Sequence, residues 1–219
     1  MCGRYTLNKK PANLAKRFDV KDVPEDLREN FNVSPSQIMP VITEDEDGNR
    51  HLEQMKWGIP RVLGKDLVKE LINTRSDKAF GNFWKKTVLH KRCLVPATGF
   101  YEWRASKDGK TPFFIHPKDI ELYSFAGIWS TWKNEDGQEI KTYSIMTTEP
   151  NSEMKAIHNR MPVILHPEDE ASWIEPSNDN PESLEKLLFP LEDDSLEIYE
   201  VSRAVNNPIN NDKYLILAA

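Results

Sequence analysis

Three Asp-Gly pairs, each set between runs of apolar residues, constrain what this chain can fold into more than any other feature. Asp47-Gly48 separates residues 38–43 from 50–57, Asp108-Gly109 separates 100–104 from 112–116, and Asp136-Gly137 separates 123–132 from 139–148. Asp-Gly supplies the positive φ that tight antiparallel connections demand, so each pair predicts a β-hairpin. Within the third hairpin Tyr123, Phe125, Gly127 and Trp129 recur every second residue, the period of a strand with one face in a core.

Helices are expected around this β framework. Residues 11–18 place Leu14 and Phe18 one turn apart behind Pro11, with Asn8 or Lys9 ahead of the proline; Pro167 opens a similar pattern that runs to Ile174. Asn180-Pro181-Glu182 reads as an N-cap, an N1 proline and an acidic first turn before Leu184, Leu187 and Leu188. Residues 30–37 carry turn chemistry throughout and read as a loop, since Pro35 forces its predecessor into extended geometry. The polar stretch 168–194 reads as an insertion, not a boundary. The fold class is therefore α+β: one domain over residues 1–219, with a mainly antiparallel, barrel-like β core and peripheral helices.

Composition narrows the function. A chain of 219 residues can bury a sizeable core. No apolar run approaches the ~20 residues of a membrane span, and the polar start lacks the apolar region of a signal peptide, so a cytoplasmic protein with no membrane partner is expected. Two cysteines, Cys2 and Cys93, make no disulfide framework, and no His or Cys lies at metal-site spacing, so neither metal nor cofactor is expected. The net charge of −6 is uneven. Residues 1–110 hold 21 Lys and Arg against 15 Asp and Glu, while 111–219 hold 8 against 20. A basic face able to hold phosphates is compatible with that split, because local potential and not total charge binds them.

Cys2 directly follows the initiator Met1. Loss of Met1 leaves one residue with an α-amine and a thiol on adjacent carbons, and such a 1,2-aminothiol condenses with an aldehyde to an imine and closes to a thiazolidine. The amine has a reference pKa of about 7.7 to 8.0, so on the order of a tenth is nucleophilic at neutral pH. Gly3 permits a turn at this end, and Arg4 is placed to lower the thiol pKa or to hold an anion. Most residues at position 2 carry no such role.

Four internal stretches also combine polar groups with local rigidity. Trp57-Gly58-Ile59-Pro60 precedes Asn73-Thr74-Arg75-Ser76, which offers an amide and a planar guanidinium, although each alone is more often surface or capping. In the run 92–103, Cys93 reads as a core thiol. Glu102, between Tyr101 and Trp103, is either a carboxylate held among rings, with a raised pKa, or a strand residue facing water. His158 and Arg160 flank the start of an apolar strand and share a side if the chain is extended there; an isolated imidazole of this kind is more often structural. Residues 201–208 show no chemistry of their own, and Asn206-Asn207 before Pro208 reads as a turn.

Taken together, Met1-Cys2-Gly3-Arg4-Tyr5, Asn32-Val33-Ser34-Pro35-Ser36-Gln37, Trp57-Gly58-Ile59-Pro60, Asn73-Thr74-Arg75, Cys93-Leu94-Val95-Pro96 through Glu102-Trp103, His158-Asn159-Arg160-Met161-Pro162 and Val205-Asn206-Asn207-Pro208 resemble, in order, the motifs of the SRAP family. These are the SOS-response-associated peptidases, abasic-site processing proteins. Seven motifs in order are far more specific than any one. Thr74, Ser76, Ser34, Ser36 and Asn159 depart from the usual pattern. The resemblance implies a monomer that binds abasic sites in single-stranded DNA and links to them through Cys2 after Met1 is removed. It implies Cys2, Asn73, Glu102 and His158 as catalytic residues. Arg4, Asn32, Pro35, Trp57, Arg75, Trp103 and Arg160 are the expected DNA contacts, with Pro35 and Trp57 as a stacking platform. Two rival readings remain: a non-covalent reader of modified or single-stranded DNA, and a cysteine peptidase limited to its own Met1–Cys2 bond.

Overall fold

The computed structural model describes residues 2–24, 26–63, 67–107, 109–133 and 136–219. Met1 and Asp108, which figure in the expectations above, lie outside them. The elements are, in order, β1 (Tyr5–Leu7), α1 (Pro11–Phe18), β2 (Asn30–Val33), β3 (Ile38–Glu44), β4 (Arg50–Trp57), β5 (Ile59–Leu63), β6 (Leu67–Leu71), β7 (Asn73–Arg75), α2 (Lys85–His90), β8 (Arg92–Ala97), β9 (Gly99–Ser106), β10 (Gly109–Pro117), β11 (Tyr123–Lys133), β12 (Glu139–Thr148), β13 (Met161–Pro162), β14 (Ile164–Leu165), α3 (Glu170–Ile174), α4 (Pro181–Glu185) and β15 (Leu196–Glu200).

All three expected hairpins form, as β3–β4, β9–β10 and β11–β12. Gly48 and Gly137 adopt φ of 79° and 77°, the left-handed region that the turns require. Strands β4, β3, β8, β11 and β12 then close on themselves: β12 pairs antiparallel with β11 and parallel with β4. The result is a five-stranded barrel with one parallel seam. A second sheet, ordered β15-β10-β9-β1-β2, packs against it. At the start of β9, Gly99 lies so close to Phe114 of the paired β10 that a Cβ would sit 2.1 Å from the ring.

Aromatic side chains join the two sheets. The Tyr5 hydroxyl on β1 meets that of Tyr143 on β12 at 2.8 Å, and the Trp57 ring lies between them, edge to Tyr5 at 5.2 Å and stacked on Tyr143 at 6.3 Å. All three are fully buried, and each contributes on the order of 2 kcal/mol of apolar burial. Helix α1 buries Leu14 and Phe18 as its spacing predicts. Its Arg17 pairs with both oxygens of buried Glu170 on α3, at 2.9 and 2.8 Å, and Glu170 also accepts from Ser124 of β11.

Several local expectations are corrected. Residues 30–37 are not all loop: β2 occupies the first four and pairs with β1 through Tyr5 and Val33. Helix α1 is entered from Lys10, without a side-chain cap. The two later helices are five residues each, although Asn180 does cap α4 by accepting from Glu182 and Ser183. A 3-10 turn over Met154–Ala156 leads into His158. Among the described residues, no helix is long and apolar enough to cross a membrane.

Candidate functional site

Cys2 enters just ahead of β1, the strand between β2 and β9. Its side chain is fully buried in the core cluster, with Sγ 3.7 Å from the Arg4 carbonyl. Burial pushes the thiol far above its ordinary pKa, and the Glu102 carboxylate adds to the rise. The expectation that Arg4 lowers the thiol is corrected. Its guanidinium turns away, donating from one Nη to Asn32 Oδ1 at 2.7 Å and to the Val205 carbonyl at 2.9 Å, and lies 5.9 Å over the Trp103 ring.

Asn73 begins β7, which pairs in parallel with β12. Its Nδ2 donates to the Cys2 carbonyl at 2.8 Å, while its Oδ1 is buried with no hydrogen-bond partner among the described residues. Glu102 lies on β9 opposite Phe113 and is 3% exposed. The Trp103 N–H approaches its Oε2 at 3.4 Å. Of the two environments left open for Glu102, the buried one is found. The half-buried His158 has its Nδ1 3.1 Å from the Arg160 backbone nitrogen and 3.3 Å from the Arg160 carbonyl.

One strand end gathers these parts. At Thr147 β12 pairs with Arg75 of β7 on one side and Pro162 of β13 on the other, so the segments bearing Asn73 and His158 flank the same strand end. Arg160 is 8% exposed and donates to the Thr147 carbonyl. Its Nη1 is 3.7 Å from Asp77 Oδ1. Arg75 is exposed and forms two hydrogen bonds with the Asp77 carboxylate, at 2.9 and 2.7 Å. That pairing holds Asp77 below the usual carboxylate range. Asp77 was not among the expected site residues. The signal for it is local, a carboxylate two positions beyond a candidate phosphate-binding arginine.

Besides Arg4, three expected DNA contacts have other occupations. Trp57 is fully buried and donates through its indole N–H to the Ile72 carbonyl at 2.9 Å, so it offers no face to a base. Asn32 is 1% exposed and spends Nδ2 on the Val205, Asn207 and Asn210 carbonyls. This explains the last motif, whose carbonyls are what Asn32 and Arg4 grip. Trp103 is half-buried and donates to Asn206 at 2.7 Å. Pro35 is half-buried in the turn after β2. An exposed ring that the motifs did not single out is Phe83, 53% exposed, with the Arg61 guanidinium 4.2 Å from its centroid. Its sequence signal is the run Phe83-Trp84-Lys85-Lys86, aromatic and then basic.

Among the described residues, no group of His, Cys, Asp and Glu is arranged to hold a metal. A cavity of about 620 Å³ lies away from Cys2, between Glu44, Asp45 and Asp47 on one side and Ala171 and Glu175 on the other. Its acidic rim suits no phosphate.

The family model described as SOS response associated peptidase (SRAP) matches residues 1–208. Abasic site processing protein YoqW of Bacillus subtilis (strain 168) is 38% identical over 222 residues, covering 99% of both chains. Abasic site processing protein HMCES of Gallus gallus is 31% identical, covering 97% of this chain and 76% of its own. The crystal structure of a protein from Bacteroides thetaiotaomicron is 26% identical and superposes over the whole of both chains with a TM-score of 0.84.

Proposed function

The chain belongs to the SOS response associated peptidase family, and from that premise we propose that it processes abasic sites in single-stranded DNA by forming a thiazolidine through the Cys2 α-amine and thiol once Met1 is lost. The observation that carries this reading is the grip of Asn73 on the Cys2 carbonyl, next to a buried carboxylate whose charge is felt at the Cys2 sulfur.

The abasic sugar is mostly a closed hemiacetal. Glu102 takes the proton from its hydroxyl while the ring oxygen gains one, and the open aldehyde appears. The neutral Cys2 amine adds to that carbon and water leaves, giving an imine, with His158 moving protons to and from the departing oxygen. The thiol then adds across the C=N bond: sulfur bonds to carbon, its proton passes to nitrogen, and the five-membered ring closes. Asn73 orients the terminus, and each proton transfer contributes on the order of 10² to 10⁴ in rate. The intermediate imine also permits β-elimination, in which C2′ loses a proton and the 3′ phosphate departs. Ring closure suppresses that cleavage. Arg75 and Arg160 hold the flanking phosphates, and Phe83 with Arg61 offers an exposed face to a neighbouring base, a contact worth about 1 to 3 kcal/mol.

Mixing the Met1-free protein with an abasic oligonucleotide and measuring intact mass tests the reading. The expected product is the sum of protein and DNA less one water, absent for Cys2→Ala. An equal adduct from Cys2→Ala excludes the aminothiol. The complete burial of Cys2 favours one rival, a non-covalent reader. It predicts equal affinity for intact and abasic strands, and no adduct.

A further inference from the structure

Resting on the reading above, we infer that Asp77 is a specificity-determining residue: its carboxylate occupies the place of a DNA phosphate between Arg75 and Arg160, and a strand must displace it to bind.

The geometry is that of an anion site already filled from within. Arg75 Nε and Nη2 meet the two carboxylate oxygens of Asp77 in the planar fork arrangement that a phosphate also accepts. Arg160 Nη1 approaches the same oxygen that Arg75 Nε holds, so one carboxylate is shared by two guanidiniums. Arg160 is nearly buried, and its Nε is a buried donor with no hydrogen-bond partner among the described residues. Burial and the charge of Arg75 both work against the charge on Arg160, while Asp77 and Glu149 support it. Two cations and two carboxylates thus nearly cancel at this point.

Stability does not explain the arrangement. The Arg75 and Asp77 side chains are 55% and 45% exposed, and pairs so open to water contribute little to folding. Position does explain it. Arg75 follows Asn73 by two residues, Arg160 follows His158 by two, and both flank Thr147. A phosphate replacing Asp77 therefore lies beside the lesion-reacting groups. An undamaged strand gains only the exchange of one anion for another, whereas an abasic strand gains the covalent bond as well. The carboxylate thus lowers affinity for ordinary DNA without entering the chemistry.

The test is single-strand binding by wild type, Asp77→Asn and the double variant Arg75→Ala/Asp77→Asn, using an undamaged oligonucleotide and its abasic counterpart over a range of salt. Asp77→Asn keeps the size of the side chain and removes its charge. It is expected to bind the undamaged strand about tenfold more tightly, with a salt dependence steeper by about one ion. The double variant loses that gain, and the rate of adduct formation by Asp77→Asn at saturating abasic DNA equals that of wild type. Thermal unfolding verifies that the variants are folded. Undamaged-strand affinity and salt slope equal to wild type, or a gain that survives in the double variant, overturn the inference while leaving aminothiol chemistry intact. A gain in affinity with no adduct from any of the proteins sustains the role of Asp77 and removes the proposed reaction. No binding by any of them removes both.

Discussion

The side-chain amide of Asn73 donates to the main-chain carbonyl of Cys2 at 2.8 Å, across 71 residues of sequence. It ties the segment entering β1 to the first residue of β7, and through β7 to the edge of the barrel. Asn73→Ala leaves that carbonyl without its partner, at a cost of about 1 to 3 kcal/mol. A terminus no longer held in register also slows adduct formation by roughly tenfold to hundredfold. Urea denaturation and single-turnover adduct kinetics measure the two effects; an unaltered rate in a folded variant ends the orienting role.

Glu102→Gln separates two consequences of one carboxylate. Its charge raises the Cys2 thiol pKa, so its removal lowers that pKa and increases the thiolate fraction at a given pH, and thiol alkylation accelerates. Opening of the sugar loses its acid–base group, and adduct formation slows by about 10² to 10⁴. Faster alkylation with slower adduct formation is the expected pair of results. Equal changes in both rates would mean that Glu102 acts on the sulfur alone.

Both cysteines are buried, and burial raises both thiols. Native protein that retains Met1 is therefore expected to resist iodoacetamide at about pH 8, and to take up two labels only in denaturant. The proposed reaction requires an accessible Cys2 once Met1 is lost, so protein lacking Met1 is expected to gain one native label, at Cys2, while Cys93 stays protected. Peptide mass after labelling reads both, and native labelling of Cys93 would show that the barrel core opens.

Removal of the Glu170 side chain strips Arg17 and Ser124 of their partner. Glu170→Ala is expected to cost about 1 to 3 kcal/mol, since the half-buried Arg17 guanidinium and the buried Ser124 hydroxyl lose their acceptor. Denaturant unfolding gives the value, and a loss near zero would mean that water replaces the carboxylate freely.

The hairpins were legible because turn chemistry is local: Asp-Gly pairs fix a connection within a few residues. The barrel seam was not. Strand β7 is three residues long, and β4 and β7 meet β12 in parallel, a pairing that leaves no periodicity in either partner. Asn32 and Trp57 were legible as motif residues but not in role, because burial depends on the far C-terminal segment and the opposite sheet. A tryptophan whose N–H is satisfied by the Ile72 carbonyl looks, in sequence, the same as one offered to a base. Asp77 was visible in principle, two residues past Arg75. Its meaning required Arg160, brought to it by the turn into β13.

Because β12 joins β4 and β11 at once, the cylinder cannot be sealed until the chain has been synthesised through residue 145. A ribosome-bound fragment ending earlier exposes the hydrogen-bonding edge of β4 and the apolar lining behind it. Folding of this topology is consequently late and governed by distant contacts, the regime in which collapse outruns correct pairing. Truncations before that point are expected to aggregate, and a host chaperone that shields bare strand edges would raise the yield of the full-length chain.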